Sequence, residues 1–160
     1  SSSGAINKQQ TKIVWSQYNK VEKPIKSNRS FGLQKIIQQK INGSWVVLPE
    51  NATLHLGDTL KVTVSISTPT AFTEIVLEEN IMGGAFLLLP KNSAAKKYAS
   101  YFTQETAINK LAQQQIQYQY ILANTGVFST GNTFASIQTN ASKHSPIKLF
   151  IPATEIRVEE

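Results

Sequence analysis

The stretch LHLGDTLKVTVSIST, residues 54–68, decides the fold class of this sequence. Aliphatic residues alternate with polar ones along it, and a period of two is typical of a β-strand with one buried and one exposed face. The aliphatic positions are Leu60, Val62, Val64 and Ile66. Gly57-Asp58 predicts the turn before this strand, and Pro69 predicts its end.

The segments on either side repeat the β pattern. Residues 31–41 and 44–49 flank Asn42-Gly43, which predicts a two-residue hairpin because both central positions of a type I′ turn need positive φ. Further strands are predicted at AFTEIVLEEN (71–80), QIQYQYILAN (115–124), TFASIQTN (133–140) and TEIRVE (154–159). GVFSTG (126–131) is predicted to be a loop or bend. Short strands at this spacing indicate an all-β, antiparallel sandwich.

One segment leaves two alternatives open. Residues 93–112, SAAKKYASYFTQETAINKLA, place apolar side chains at spacings near three and four, which suits one short amphipathic helix. The same residues also suit a strand over 98–104 followed by a second short one.

The sequence divides into a lead and one domain. Residues 1–10 are small and polar, residues 11–18 (TKIVWSQY) predict a strand, and residues 19–30 form a charged linker that contains Pro24. We therefore predict an N-terminal tail, strand and linker over 1–27 and a β-sandwich domain over 28–160. The chain starts at Ser1, and we interpret it as a piece of a longer protein.

Composition and charge exclude several classes of function. The chain has 160 residues, a net charge of +6 and no cysteine, so disulfides, thiol nucleophiles and Cys-ligated metals are excluded. Residues 1–40 carry eight basic groups and one acidic group, a net +7. Few arginines or aromatics are interleaved with these lysines, so we interpret them as a solvated lead and expect no nucleic-acid partner. No apolar run reaches the roughly 18 residues of a membrane helix, and we expect no membrane insertion.

Groups suited to catalysis are scarce. The chain has two histidines, His55 and His144, and one aspartate, Asp58, which we expect to bind the backbone of its own turn. His55 is expected to point outward. Glu78 and Glu79 are adjacent on a predicted strand, so their carboxylates point to opposite faces. We predict that the domain is not an enzyme and holds no cofactor or metal.

Aromatic residues are the remaining functional candidates. Tyr98, Tyr101, Phe102, Tyr118 and Tyr120 form either a recognition strip for a sugar or protein, or part of the sandwich core, which uses the same residue types.

Several segments in order resemble one family. GDTLKVTV (57–64), IVLEE (75–79), YQYILANTGVFSTGNTFASIQ (118–138) and His144-Ser145 are similar to the C-terminal macroglobulin-like domain of bacterial, Bacteroidota-type α2-macroglobulin proteins. The family's Met-Tyr-Ala-Pro-Glu element is replaced by TNAS at 139–142. With no cysteine here, any thioester would lie in an upstream part of the parent protein.

The resemblance implies both a fold and a role. Family members are secreted or periplasmic, often lipid-anchored, proteins that trap a protease after it cuts a bait region. Their terminal domain is a macroglobulin-like, fibronectin III-like sandwich that packs near the thioester domain and does no chemistry. We therefore expect an extracytoplasmic, non-catalytic structural and interaction domain. Its partners would be other domains of the parent and, through the full-length protein, trapped proteases. The candidate interaction residues are Tyr98, Tyr101, Phe102, Phe128 and His144. The alternative is a sugar- or protein-binding β-sandwich module of a secreted or surface protein.

Overall fold

A computed structural model describes residues 31–69, 73–108, 113–139 and 145–160 of the chain. Within these ranges it contains β-strands and no helix. The strands are β1 (Gly32–Ile41), β2 (Ser44–Val47), β3 (Leu54–His55), β4 (Thr59–Ser67), β5 (Thr73–Asn80), β6 (Ala85–Leu88), β7 (Lys96–Lys97), β8 (Tyr101–Ile108), β9 (Gln113–Leu122), β10 (Gly126–Ser129), β11 (Thr133–Gln138), β12 (Ile147–Ile151) and β13 (Glu155–Glu159). The strand predicted at 11–18, the linker after it and the boundary between residues 27 and 28 lie outside the described residues.

Two five-stranded sheets face each other and a smaller sheet adjoins them. The first sheet has the order β2-β1-β4-β9-β6, the second has the order β12-β11-β5-β8-β7, and the small sheet has the order β10-β13-β3. All strand pairs are antiparallel except β13 and β3, which run parallel. The prediction of an all-β, antiparallel sandwich is confirmed.

The predicted hairpin forms where the sequence places it. Asn42 has φ 49° and Gly43 has φ 82°, and Ile41 pairs with Ser44 across the turn. Both turn residues therefore have the positive φ that a type I′ turn requires.

The structure favours the strand alternative for residues 93–112, over Tyr101–Ile108 rather than 98–104, and corrects the prediction for GVFSTG. The helix considered within 93–112 does not form in its described residues, because β8 pairs with β5 at every position from Tyr101 to Ile108. GVFSTG begins as a strand, β10, because residues 126–129 pair with β13 about 30 residues further along the chain. In both cases the deciding partner is distant in sequence, so the local pattern could not reveal it.

The core lies between the two large sheets. The inward face of β9 contributes Ile116, Tyr118 and Tyr120, and the Tyr118 ring meets Phe102 of β8 edge-on, with ring centroids 5.0 Å apart. The other fully or nearly fully buried apolar side chains come from both large sheets, from β3 and β13 of the small sheet and, for Met82, from the connection between β5 and β6: Leu33, Leu54, Leu60, Val62, Val64, Ile66, Ile75, Leu77, Met82, Ile108, Leu122, Ala135, Ile137, Leu149, Ile151, Ile156 and Val158.

The outward face of β4 is less exposed than the period-two pattern predicts. Thr63 is 8% exposed and Ser65 is 7% exposed, although both alternate with the buried aliphatic residues. β4 is the central strand of its sheet, so longer side chains stand on both sides, including Ile36 and Gln117 beside Thr63.

Gly131 fixes how the β10–β11 connection meets the end of β5. It has φ 82°, and a Cβ there would lie 2.1 Å from the backbone oxygen of Asn80. The Asn80 N–H donates to the carbonyl of Asn132, the residue after Gly131, at 2.9 Å. Only glycine allows this close approach of two backbone segments.

We expect Gly131→Ala to destabilise the protein strongly. Alanine at this φ costs about 1–2 kcal/mol, and the clash with Asn80 forces a backbone shift that adds roughly 2 kcal/mol. Urea denaturation monitored by circular dichroism measures the loss in free energy of unfolding.

Gly43→Ala provides the matched control. Gly43 has the same φ of 82°, but a Cβ there meets nothing within 4 Å. The Gly43→Ala variant should therefore lose only the part of the free energy of unfolding that comes from the positive φ. Equal losses of free energy for the two variants would contradict the proposed clash.

Candidate functional site

A buried ion pair joins the two large sheets. The Lys35 ammonium of β1 donates to the Glu79 carboxylate of β5, and their side chains are 3% and 0% exposed. The same ammonium donates to the carbonyls of Thr130 at 3.3 Å and Gly131 at 3.1 Å. All three donors of the Lys35 ammonium are therefore used. They connect β1, which carries Lys35, to β5 and to the β10–β11 connection.

The surroundings of Glu79 are less completely hydrogen-bonded. Tyr118 and Thr133 present their hydroxyls close enough to the carboxyl to favour its charged form. Even so, Oε2 of Glu79 and both hydroxyls have no partner at hydrogen-bonding geometry within the described residues. Such buried, unpaired oxygens are costly, and they make this cluster sensitive to substitution.

Burial dominates the electrostatics of this cluster. Burial raises the pKa of the Glu79 carboxyl above its ordinary 4.5, and this effect outweighs the Lys35 ammonium, which lowers it. The pKa of the Tyr118 hydroxyl is raised well above its usual range, first by burial and then by the nearby Glu79 charge. Both charged groups are buried, and the pair joins β1 to β5 across the core.

The sequence analysis missed this ion pair. It assigned Lys35 to a solvated basic lead, yet Lys35 is in phase with Leu33 and Ile37 on the inward face of β1. Glu79 is likewise in phase with Ile75 and Leu77 on β5. Two opposite charges that each interrupt an apolar face were the signal that could have identified the pair.

A cleft of about 780 Å³ opens beside β1. Its walls are β1, the connection between β2 and β3, and β13. Ile37, Leu48 and Ile156 contribute apolar surface to it. Its charged lining residues are the acidic Glu50, Glu155 and Glu159 and the cations Arg157 and Lys35, the last of which is paired with Glu79.

The predicted aromatic candidates separate into three environments. Tyr98 and Tyr101 stack with ring centroids 4.5 Å apart, and Tyr98 is 46% exposed, so this pair is accessible to a partner. Phe102 is fully buried and belongs to the core, which excludes it from a surface strip. Tyr118 and Tyr120 are also core residues. His144 lies outside the described residues.

Phe128, the remaining candidate, has a packing role. Its half-buried ring lies over Gly84, where a Cβ would come within 2.5 Å of the ring. The glycine pair at 83–84 therefore makes room for this ring.

The residues considered for catalysis do not assemble into a site. His55 is exposed, and its backbone N–H donates to the Asp58 carboxylate at 2.9 Å. Asp58 also accepts from Gln39 at 2.8 Å, so it binds its own turn as predicted and fastens it to β1. No group of three or more potential metal ligands occurs among the described residues. A search of those residues likewise found no helix long and apolar enough to span a membrane.

Further aromatic residues are exposed on the outer faces of the sheets. Phe134 and Phe150 face each other on the second sheet, with ring centroids 5.0 Å apart. On the first sheet, Phe86 is 66% exposed, and the Lys61 ammonium lies 4.7 Å from the centre of the Trp45 ring. The sequence analysis did not select these residues, because strand periodicity alone does not say which outward aromatics remain uncovered.

We expect a strong coupling between Lys35 and Glu79. Lys35→Met and Glu79→Gln should each lower the free energy of unfolding by about 3–5 kcal/mol, because each leaves the other charge buried without its partner. The double variant should lose less than the sum of the single losses. Urea denaturation of all four proteins at pH 7 gives the coupling energy.

A surface ion pair of the same chain serves as the control. Lys96 and Glu105 approach to 3.8 Å with side chains 69% and 75% exposed. The same substitutions there should couple by about 1 kcal/mol or less. Additive losses at Lys35 and Glu79 would show that the buried pair does not act as one unit.

Comparison with known proteins relates the fold, but not the sequence, to characterised ones. No family model and no curated protein matches the sequence. Among solved structures, the chain is similar to native α2-macroglobulin from Escherichia coli, in a structure that spans domain MG7 to the C-terminus, with a TM-score of 0.61 and 11% identity. The match covers 88% of this chain and 25% of that chain, so the present chain spans about a quarter of its length.

Two other solved structures are less similar. A non-cellulosomal cohesin from Archaeoglobus fulgidus matches with a TM-score of 0.48 and 12% identity, over 79% of this chain and 91% of that chain. The human F-spondin reeler domain matches with a TM-score of 0.38 and 16% identity, over 77% of this chain and 87% of that chain. At these identities the E. coli likeness establishes the fold alone, an all-β sandwich similar to one found between domain MG7 and the C-terminus of that α2-macroglobulin.

Proposed function

We propose that this chain is a non-catalytic interaction domain of an α2-macroglobulin-like protein that traps proteases. The observation that carries the proposal is the fold likeness to the E. coli α2-macroglobulin, which extends over 88% of this chain. The motif order of residues 57–138 supports the same family. On this proposal the parent protein is extracytoplasmic, and the domain meets proteases only as part of the whole molecule.

The surface of the domain suits packing against neighbouring domains. Both outer sheet faces carry exposed apolar side chains, Phe86 on one and the Phe134–Phe150 pair on the other. Exposed apolar groups of this kind mark interaction sites when they are clustered. Partners on this proposal are other domains of the parent, including a thioester domain where the parent has one.

We expect the full-length parent protein to trap proteases. An excess of it should block protease digestion of a large protein substrate, while the same protease continues to cleave a small chromogenic peptide that can enter the trap. Inhibition of both substrates, or of neither, would contradict trapping.

Surface variants of the parent test the contribution of this domain. Phe86→Ser and Phe134→Ser alter opposite faces without removing a buried side chain. We expect at least one of these two variants to weaken protease trapping severalfold. Tyr98→Ser, which lies away from the exposed phenylalanines of both faces, serves as the comparison and should leave trapping unchanged. If both phenylalanine variants trap as well as the parent, neither face is an interdomain contact that trapping needs.

The stacked pair Tyr98–Tyr101 favours a second candidate function. Exposed aromatic rings offer an apolar platform with a polar edge, which suits sugar rings or peptide side chains. If the chain is a sugar-binding module, a glycan array should give a hit that Tyr98→Ala and Tyr101→Ala abolish and Phe134→Ala retains. The protease-trap proposal predicts no glycan hit that depends on these tyrosines.

A further inference from the structure

β9 has a long edge that no described strand pairs with. On one side β9 pairs with β4 without interruption from Gln113 to Ile121. On its other side β6 pairs only with residues 119–122 of β9. After β6 the chain leaves this edge and continues to β7 of the second sheet. Residues 113–118 of β9 are therefore without a strand partner on the β6 side in the described part of the chain.

The hydrogen bonds at the end of β9 show which backbone groups point to this edge. The Leu122 N–H donates to the Asp58 carbonyl at 3.0 Å, next to β4. The following N–H, that of Ala123, donates to the Gly84 carbonyl at 2.8 Å, next to β6. Because the backbone groups of successive strand residues alternate between the two sides, the odd-numbered residues of β9 direct theirs to the β6 side. At the free edge these residues are Gln113, Gln115 and Gln117.

The free edge of β9 borders an open space. The side chains of its three odd-numbered glutamines are exposed. A cleft of about 610 Å³ lies between residues 115–117 of β9, residues 104–106 of β8 and the connection between β6 and β7. The cleft leaves room for the inward side chains of an added strand.

The outermost strands of the two large sheets are protected against further pairing, and the free edge of β9 is not. β2, β6, β7 and β12 are short, β7 consists of two lysines, and Pro90 and Pro152 stand just after β6 and β12. Short strands, lysine and proline are devices that prevent another strand from adding to an edge. Between Lys110 and Lys143 the sequence has no charged residue and no proline. The edge at 113–118 is therefore a ready template for strand addition.

This edge is complementary to itself. When two copies of β9 run antiparallel with Gln115 opposite its own counterpart, Gln113 of one copy lies opposite Gln117 of the other. All edge-directed backbone groups of residues 113, 115 and 117 then find partners. The facing glutamine amides can both donate and accept, and no like charges meet. On the inward side, Gln114 lies opposite Ile116 of the second copy.

We propose that two copies of this chain form a dimer by pairing their free β9 edges antiparallel about a two-fold axis at Gln115. The pairing joins the first sheets of the two copies into one continuous sheet. The contact uses the same patch on both copies, so it closes after two copies. The dimer does not depend on the proposed protease trapping.

Sedimentation velocity of the full 160-residue chain tests for this dimer. We expect a species of twice the chain mass whose fraction rises with protein concentration and then saturates, because the two free β9 edges occupy each other. A monomer at every concentration up to the solubility limit would overturn the proposal. Assemblies that grow beyond the dimer would overturn it as well.

Charges placed at the two-fold axis test the contact itself. Gln115→Lys and Gln115→Glu each bring like charges opposite one another, so each should weaken the dimer severalfold. An equimolar mixture of these two variants should recover the dimer, because lysine then meets glutamate across the axis. The matched control is Gln138→Lys, at an exposed glutamine on the outer face of β11, and it should leave the dimer unchanged. If both Gln115 variants dimerise as the unaltered chain does, another surface forms the dimer and the proposal is wrong.

Disulfide cross-linking tests the register. The chain has no cysteine, so Gln115→Cys introduces a single thiol. Opposite residues of a hydrogen-bonded antiparallel pair have Cα atoms about 5.5 Å apart, which suits a disulfide, so mild oxidation should give a covalent dimer. Gln113→Cys places the two thiols about 13 Å apart along the strands, and it should cross-link severalfold more slowly. Equal rates at the two positions would contradict an axis at Gln115.

Discussion

The buried contact between Lys35 and Glu79 is the constraint on which the sandwich depends. It ties β1 to β5 across the core, and its remaining donors hold the carbonyls of Thr130 and Gly131. Desolvating two charges costs several kcal/mol each, so this arrangement contributes little net stability over an apolar pair. Its structural role is to hold β1, β5 and the β10–β11 connection together, because one ammonium on β1 binds groups of the other two.

This constraint explains the neighbouring features of the chain. Lys35 can reach the Gly131 carbonyl only because a residue without a side chain lets this connection approach the backbone of Asn80. The small sheet, which contains β10, is anchored by its central strand β13. Ile156 and Val158 of β13 are buried in the core. The cleft lies between that sheet and β1, and Lys35 is one of its lining residues.

Sequence alone predicted the parts of the fold that rest on local physics. The alternation in β4 and β9, the Asn42-Gly43 turn and the all-β class follow from periods and turn chemistry, and all three are confirmed. β8 and β10 were ambiguous or wrong because distant strands determine them. Of the candidate site residues, the pattern suggested aromatics at 98–102 but could not tell the exposed Tyr98 from the buried Phe102, since exposure depends on which sheet covers which strand.

The distribution of polar and apolar groups also bears on the kind of function. The Lys35–Glu79 ion pair is buried, whereas the outer faces of the sheets expose aromatic rings. An active site needs the opposite arrangement, with titratable groups converging at an accessible cavity. The cleft of about 780 Å³ beside β1 has three glutamates among its lining residues, together with the cations Lys35 and Arg157. On the proposed function, a domain built this way acts through the chains that it contacts.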